Sequence, residues 1–107
     1  TRDSWFQRLY TLVAEADGRI VGYGNVDDTG YLDHLFVRWD CQGQGIATAL
    51  CDALEAHCRE LGVDAVTVHA SKTALPFFLR RGYRVEREQQ MPVRGQVLTN
   101  YAMNKTL

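Results

Sequence analysis

From Leu9 to Asn25 apolar and polar residues alternate with a period of two, interrupted once by Asp17-Gly18. That pattern predicts a strand over 9–16, a tight turn and a second strand over 19–25, because an Asp-Gly pair tolerates the positive φ angles of a two-residue hairpin. A polar run, Asp27-Asp28-Thr29-Gly30, then leads into a third strand over 31–37. At Ile46 the period changes. Ile46, Ala49, Leu50, Ala53, Leu54, His57, Cys58 and Leu61 fall on one helical stripe, and Gly62 supplies a C-cap. The β-branched run 65–69 follows directly, so strand, Gly-containing turn, amphipathic helix and strand form a βαβ unit with parallel strands. A second helix is expected over 73–81, with Pro76 in its first turn and a stop at Gly82. Two antiparallel strands, 83–88 and 97–104, close the chain around a loop at 91–96. Residues 2–8 are compatible with the end of a helix. The order β-β-β-α-β-α-β-β defines an α/β fold: a mixed, mostly antiparallel sheet with one parallel pair in its middle and flanking helices.

The chain of 107 residues has room for one domain, which excludes an active site in an interdomain cleft. With 46% apolar and 23% charged residues it can bury a core, which excludes disordered and solenoid classes. A net charge of −1 lacks the basic footprint of a nucleic-acid binder. The charge is unevenly placed. Residues 1–64 hold five Arg against eight Asp and three Glu, and residues 65–107 hold five Arg and two Lys against two Glu. An anionic ligand on one side and a cationic substrate on the other would suit that division, and so would an ordinary solvated surface. Cys41, Cys51 and Cys58 form no CxxC pair and no even-numbered framework, so a reducing, cytoplasmic setting is expected. Cys51 and Cys58 should share a helix face and pack as small hydrophobes. No apolar run approaches the roughly 18 residues of a membrane span, and no signal peptide is recognisable.

The stretch Gln42-Gly43-Gln44-Gly45-Ile46-Ala47 stands between a strand and a helix. Glycines there let a ligand approach the backbone, and the free amides of a first helical turn favour phosphate. A P-loop would need Gly-Lys-Ser/Thr, which is absent. A dinucleotide fold would need a third glycine where Thr48 stands, and an acidic residue ending the strand that here ends in His69-Ala70. What remains is Gln/Arg-x-x-Gly-x-Gly/Ala after a strand ending Leu35-Phe36-Val37, present as Gln42-x-x-Gly45-x-Ala47. This resembles the pyrophosphate-binding motif of the GNAT superfamily of acyl-CoA-dependent N-acyltransferases. The resemblance covers roughly residues 9–107, because the order of elements also follows the family from its second strand onward. The segment from Val68 to Phe78 resembles a bacterial acetyltransferase subgroup.

The resemblance implies acetyl-CoA as co-substrate, lying in a V-shaped gap between the strands 31–37 and 65–69, with no metal. It implies that the amides of Gln42, Gly43, Gln44, Gly45, Ile46 and Ala47 hold the pyrophosphate, with Gln44 and Ile46 contributing backbone only and Thr48 adding a hydroxyl. Backbone groups of Leu35, Phe36 and Val37 would pair with the pantetheine arm and polarise the thioester carbonyl. A base should stand near the start of the third strand. Asp33 is the first candidate and His34 the second, with His34 on the opposite face unless a β-bulge shifts the phase; an ordinary polar residue near a strand end is the plain alternative for each. Phe78 stands where the family often has a proton-donating Tyr, and Ser71 where an Asn often sits. The acid that protonates the leaving thiolate must then be Tyr83, Tyr101 or a water, unless the thiolate leaves unassisted. Arg80, Arg81 and Arg84 could meet the 3′-phosphate, although the helix dipole and solubility ordinarily explain arginines at a helix C-terminus, and that plain reading is favoured here. His57 reads as a packed histidine, and His34, His57, His69 and the cysteines show no metal-ligand spacing. Trp39 is expected to cover the core edge, and Trp5 to line an acceptor pocket or pack elsewhere.

The expected function is therefore transfer of an acetyl group from acetyl-CoA directly to an amine of a small molecule or peptide. Neither nucleic acid nor membrane is an expected partner, and a homodimer is compatible with the small core. The rival is a non-catalytic acyl-CoA-binding or interaction module. Residues 1–107 read as one domain, N-terminally short of the family's first strand and acceptor-side helices.

Overall fold

Asp17 and Gly18 both adopt positive φ, 54° and 77°, and fold β1 (Leu9–Ala16) back on β2 (Arg19–Asp27). The computed structural model describes residues 9–107, so the helix end expected over 2–8 and the role expected of Trp5 lie outside the described residues. The Asp27 carboxylate shapes the next turn. Its Oδ1 accepts hydrogen bonds from the amides of Thr29 and Tyr31 at 2.9 and 3.0 Å, and this starts β3 (Tyr31–Val37) antiparallel to β2. A single 3-10 turn, Trp39–Cys41, precedes α1 (Ile46–Glu60), and β4 (Ala65–Ser71) returns parallel to β3. After α2 (Leu75–Arg80) the chain closes with β5 (Arg84–Val93) and β6 (Gln96–Thr106). The six strands lie in the order β1-β2-β3-β4-β6-β5, antiparallel except for β3 and β4. This is the mixed sheet with one parallel junction that the periodicity predicts.

Both helices pack on one face of the sheet, and the core forms between them. Leu50, Cys51, Leu54 and Cys58 of α1, Val66, Val68 and Ala70 of β4, Phe78 of α2 and Met103 of β6 are buried there. Burial of each large aliphatic or aromatic side chain contributes roughly 1.5–3 kcal/mol. Close approach of α1 to β2 requires glycine. A Cβ on Gly22 would lie 3.0 Å from Ile46 Cγ2, and one on Gly24 3.0 Å from Leu54 Cδ1. The expected stripe on α1 is rotated. Ala49, Ala53 and Leu61 are exposed, while Cys51 packs in the core and Glu55 turns inward to meet Arg81, Tyr83 and Lys105.

Four further expectations change. Helix α2 starts at Leu75 rather than residue 73, because residues 72–74 form a turn in which the Ala74 amide donates to Ser71 Oγ at 3.2 Å. The loop expected over 91–96 shrinks to Arg94-Gly95, both with positive φ, and Met91, Pro92 and Val93 pair with Leu98, Val97 and Gln96 in one long hairpin. Trp39 does not cover the core edge: it projects from the 3-10 turn and is 83% exposed. Finally, β3 carries a bulge. Asn25 pairs with His34 and Val26 with Leu32, so Asp33 is the extra residue.

Candidate active site

The bulge decides which chemistry faces which side. Without it His34 would share the helix-side face with buried Leu32. With it, Leu35 takes that face, and His34 joins Tyr23 and Phe36 on the open face, their rings 6.5 and 5.5 Å from that of Tyr23. The parallel ladder between β3 and β4 is only two pairs long, Tyr31 with Thr67 and Leu32 with Val68. Beyond it β3 stays with β2 through Val37, and β4 stays with β6 through Ser71, so the two strands diverge. The β4-facing edge of residues 33–37 therefore has no strand partner.

The divergence opens a cavity of about 300 Å³ with two kinds of wall. On the helix side stand Leu35, Ala70, Ala74 and Phe78; at the open face stand Asp33, His34, His69 and Ser71. Leu35, Ala74 and Phe78 also line a second cavity of about 430 Å³, continued by Val37, Gln42, Gly43, Gly45, Ile46, Ala47 and Thr48. The two abut at these three shared residues and together extend from the start of α1 to the open face, a groove in two parts.

At the far end of the groove Gly43 and Gly45 have φ of 81° and 80°, and a Cβ at either would meet nothing within 4 Å. These angles strain any other residue, and both glycines line the cavity. Gly45 is the N-cap of α1, no side chain caps the helix, and its first turn carries no acidic residue. The first intrahelical bond runs from Ala49 N to Gly45 O at 3.0 Å, leaving the amides of Ile46, Ala47 and Thr48 for a ligand. Free amides, a positive dipole end and open space beside two glycines fit a pyrophosphate. Arg80 lines the cavity as well.

Most of the expected cofactor-binding residues therefore line one groove: Leu35, Val37, Gln42, Gly43, Gly45, Ile46, Ala47, Thr48, Ser71 and Phe78. Gln44 and Phe36 do not line it, and Phe36 turns its ring to the open face.

Of the expected catalytic residues, Asp33 and His34 come together, with Asp33 Oδ2 3.4 Å from His34 Nδ1. Asn25 Oδ1 lies 3.3 Å from the same nitrogen and accepts the His34 amide at 3.0 Å. Tyr83 is elsewhere. It is 2% exposed, and its hydroxyl donates to Glu55 Oε2 at 2.8 Å. Arg81 donates to the same carboxylate through Nε at 3.0 Å and to Asp52 at 2.8 Å, and Lys105 Nζ reaches Glu55 Oε1 at 2.9 Å. Burial pushes the Glu55 carboxyl up, but its bonds to Arg81, Lys105 and Tyr83 outweigh that and hold it below the usual carboxylate range. Burial, reinforced by the hydrogen bond to Glu55, pushes the Tyr83 phenol well above its ordinary value. Neither Tyr83 nor Arg81 is free to serve the groove.

Two residues of the site were missed from sequence, Asn25 and His69. The Tyr31 hydroxyl lies 3.4 Å from His69 Nδ1, and the two rings meet edge to face at 5.5 Å. Burial, with the charges of Asp33 and Asp27, raises the Tyr31 phenol and keeps it protonated. His57 packs as expected, stacked on Tyr10 at 3.7 Å. No cluster of metal-ligating side chains occurs among the described residues.

A sheet splayed at one parallel junction, with a glycine-capped helix start beside the gap, is the architecture of the GNAT fold. The family model described as Acetyltransferase (GNAT) domain matches residues 2–105, and the chain belongs to that family. It is 40% identical over 73 residues, 68% of its length and 45% of the relative's, to the uncharacterized N-acetyltransferase YafP of Escherichia coli. A GCN5-related N-acetyltransferase from Rhodopseudomonas palustris superposes with a TM-score of 0.86 at 34% identity, covering 92% of this chain and 62% of that one. A PaiA N-acetyltransferase from Thermoplasma acidophilum, solved with coenzyme A, shares the fold at a TM-score of 0.77 and 16% identity, covering 92% and 61% of the two chains. The chain spans about half the length of the curated relatives it matches.

Proposed function

We propose that the chain binds acetyl-CoA along the groove and transfers its acetyl group directly to an amine. The observation that carries this is that the two cavities abut at Leu35, Ala74 and Phe78: a row of free amides stands at one end, and the β3–β4 gap at the other. The pyrophosphate would rest on the amides around Gly43 to Thr48, and the pantetheine arm would run past Leu35 and Val37. A β3 amide would polarise the thioester carbonyl. The amine would arrive from the open face.

Attack requires a neutral amine, so a proton must leave it. His34 Nδ1 has two oxygen neighbours, Asn25 Oδ1 and Asp33 Oδ2, so that nitrogen carries the hydrogen and Nε2 is left to accept a proton. Asp33 then orients and stabilises His34, which reverses the order of the two candidates expected from sequence. The three unpaired cysteines support a reducing compartment.

The test is incubation of the chain with acetyl-CoA and a panel of polyamines, amino acids, aminoglycosides and Lys peptides, following free CoA with a thiol reagent. Turnover on at least one amine is expected. Phe78 in the gap and Tyr83 on Glu55 favour a second reading, an acyl-CoA-binding module without chemistry. CoA binding without turnover on a broad panel would select it, and absence of CoA binding would end both.

A further inference from the structure

The gap still needs a proton donor for the leaving thiolate. Phe78 has no dissociable proton, and Tyr83 is held in the core by Glu55. Four of the residues lining the gap carry a dissociable group: Asp33, His34, His69 and Ser71. Asp33 and His34 belong together on β3, where the amine proton is to be taken up. A serine hydroxyl is too weak an acid for the task. Tyr101, the other tyrosine expected to serve, packs against the core and lines neither cavity, so His69 remains, and it stands on the opposite strand.

Its position is set by the sheet. His69 is the first β4 residue past the two-pair ladder with β3, so it stands where the strands begin to diverge. It pairs with Ala102 of β6, shares its face with Ser71, and is backed by the Tyr31 hydroxyl from across the junction. Tyr31 meets the ring at Nδ1, which leaves Nε2 of a residue lining the gap without a hydrogen bond among the described residues. The two walls thus carry one histidine each.

We propose that His69 is the general acid of the acyl transfer, donating the proton that converts the departing CoA thiolate to the thiol. This rests on the acetyltransferase function proposed above. As the tetrahedral intermediate collapses, the carbon–sulfur bond breaks, its electron pair goes to sulfur, and an imidazolium N–H proton of His69 passes to it. Neutral imidazole and CoA thiol result. The proton lost by the amine is taken up on the β3 side and released to water, which also recharges His69. Tyr31 acts as a positioning residue through its contact with Nδ1.

The test compares wild type with His69→Gln and Tyr31→Phe, using acetyl-CoA and S-acetyl-4-nitrothiophenol, an aryl thioester whose more acidic thiol needs no proton to leave. CoA affinity is measured alongside by calorimetry. His69 is exposed, so His69→Gln should fold as wild type. With acetyl-CoA its kcat should fall about 100-fold, and that of Tyr31→Phe by a smaller factor, with CoA affinity unchanged. With the aryl thioester both variants should match wild type. An unaltered kcat in His69→Gln, or an equal fall on both thioesters, overturns the assignment while leaving the proposed function standing. Wild type that binds CoA but turns over no amine overturns this assignment and selects the module. Failure of wild type to bind CoA overturns the parent reading instead.

Discussion

Two clusters of ionisable side chains sit on opposite faces of the sheet. Each contains a carboxylate, a tyrosine and basic groups. Around Glu55 every valence is used: both carboxylate oxygens accept from Arg81, one from Lys105 and the other from Tyr83. Around the β3–β4 gap Asn25, Asp33, His34, His69 and Tyr31 make contacts of 3.3–3.4 Å, and Asp33, His34 and His69 remain exposed. The first cluster is saturated, ties α1 to the end of α2 and to β6, and has nothing left to offer a substrate. The second has free valence beside a cavity. A buried, fully paired network specifies structure, and an open, partly paired one can exchange protons. Residue type alone does not separate the two, as Tyr83 demonstrates.

The sharpest break of this contrast is Glu55→Ala. It strands Arg81 and Lys105 without their shared anion, and should cost about 3–5 kcal/mol of stability by urea unfolding, as removal of one partner from a buried ion pair does. Glu55→Gln should cost less and should also change the pH dependence. The folded-state pKa of Glu55 is depressed, so its contribution is fully present above the unfolded value of about 4.3 and is lost as pH falls through the lower folded value. Wild type should therefore lose stability below about pH 4 more steeply than Glu55→Gln. Equal slopes would show that the network adds nothing to acid lability.

Next in size is Gly45→Glu, which sets a carboxylate against the amides of the α1 start. CoA affinity should fall at least 100-fold by calorimetry, since like charge replaces a favourable anion site. Gly45→Ala is the control. Its Cβ meets nothing, so the cost is about 1 kcal/mol of backbone strain with affinity largely kept. Retained affinity in Gly45→Glu would move the cradle elsewhere.

The open cluster should behave in the opposite way to Glu55. His34→Gln should lower kcat with the best amine of the panel by about 100-fold. Its effect on stability should stay within about 0.5 kcal/mol, because the side chain is exposed. A stability loss comparable to that of Glu55→Ala would erase the distinction between the clusters.

How much of this was legible beforehand follows from the range of each signal. The Asp17-Gly18 turn, the switch of period at Ile46 and the glycines before α1 are local, and they are enough to locate the hairpin, the βαβ unit and the glycine-lined start of α1. The inward turn of Glu55 was not legible, because its partners lie 26, 28 and 50 residues away. A charged residue on an amphipathic helix ordinarily marks the solvent side. His69 was passed over for a similar reason, since its significance comes from Tyr31 across a parallel junction. The phase of His34 depended on a bulge that alternation alone cannot reveal. Arg94 with φ of 51° hid the final turn, because arginine carries no turn signal of the kind that Asp17 does.

The smallest effect concerns the cysteines, and it probes the groove without any substitution. Burial pushes the Cys51 thiol up to about 12 and raises Cys58 as well, so neither forms thiolate at neutral pH. Cys41 is half-buried on the wall of the cradle, and its thiol too is raised, by burial and then by its bond to Asp40. In the folded chain iodoacetamide should therefore label Cys41 slowly and leave Cys51 and Cys58 intact by mass spectrometry. Saturating CoA should slow Cys41 labelling a few-fold by covering it, whereas the other two thiols respond only to unfolding. If CoA protected no cysteine, its pyrophosphate would not lie beside Gln42 and Gly43, and the groove would have lost its cofactor end.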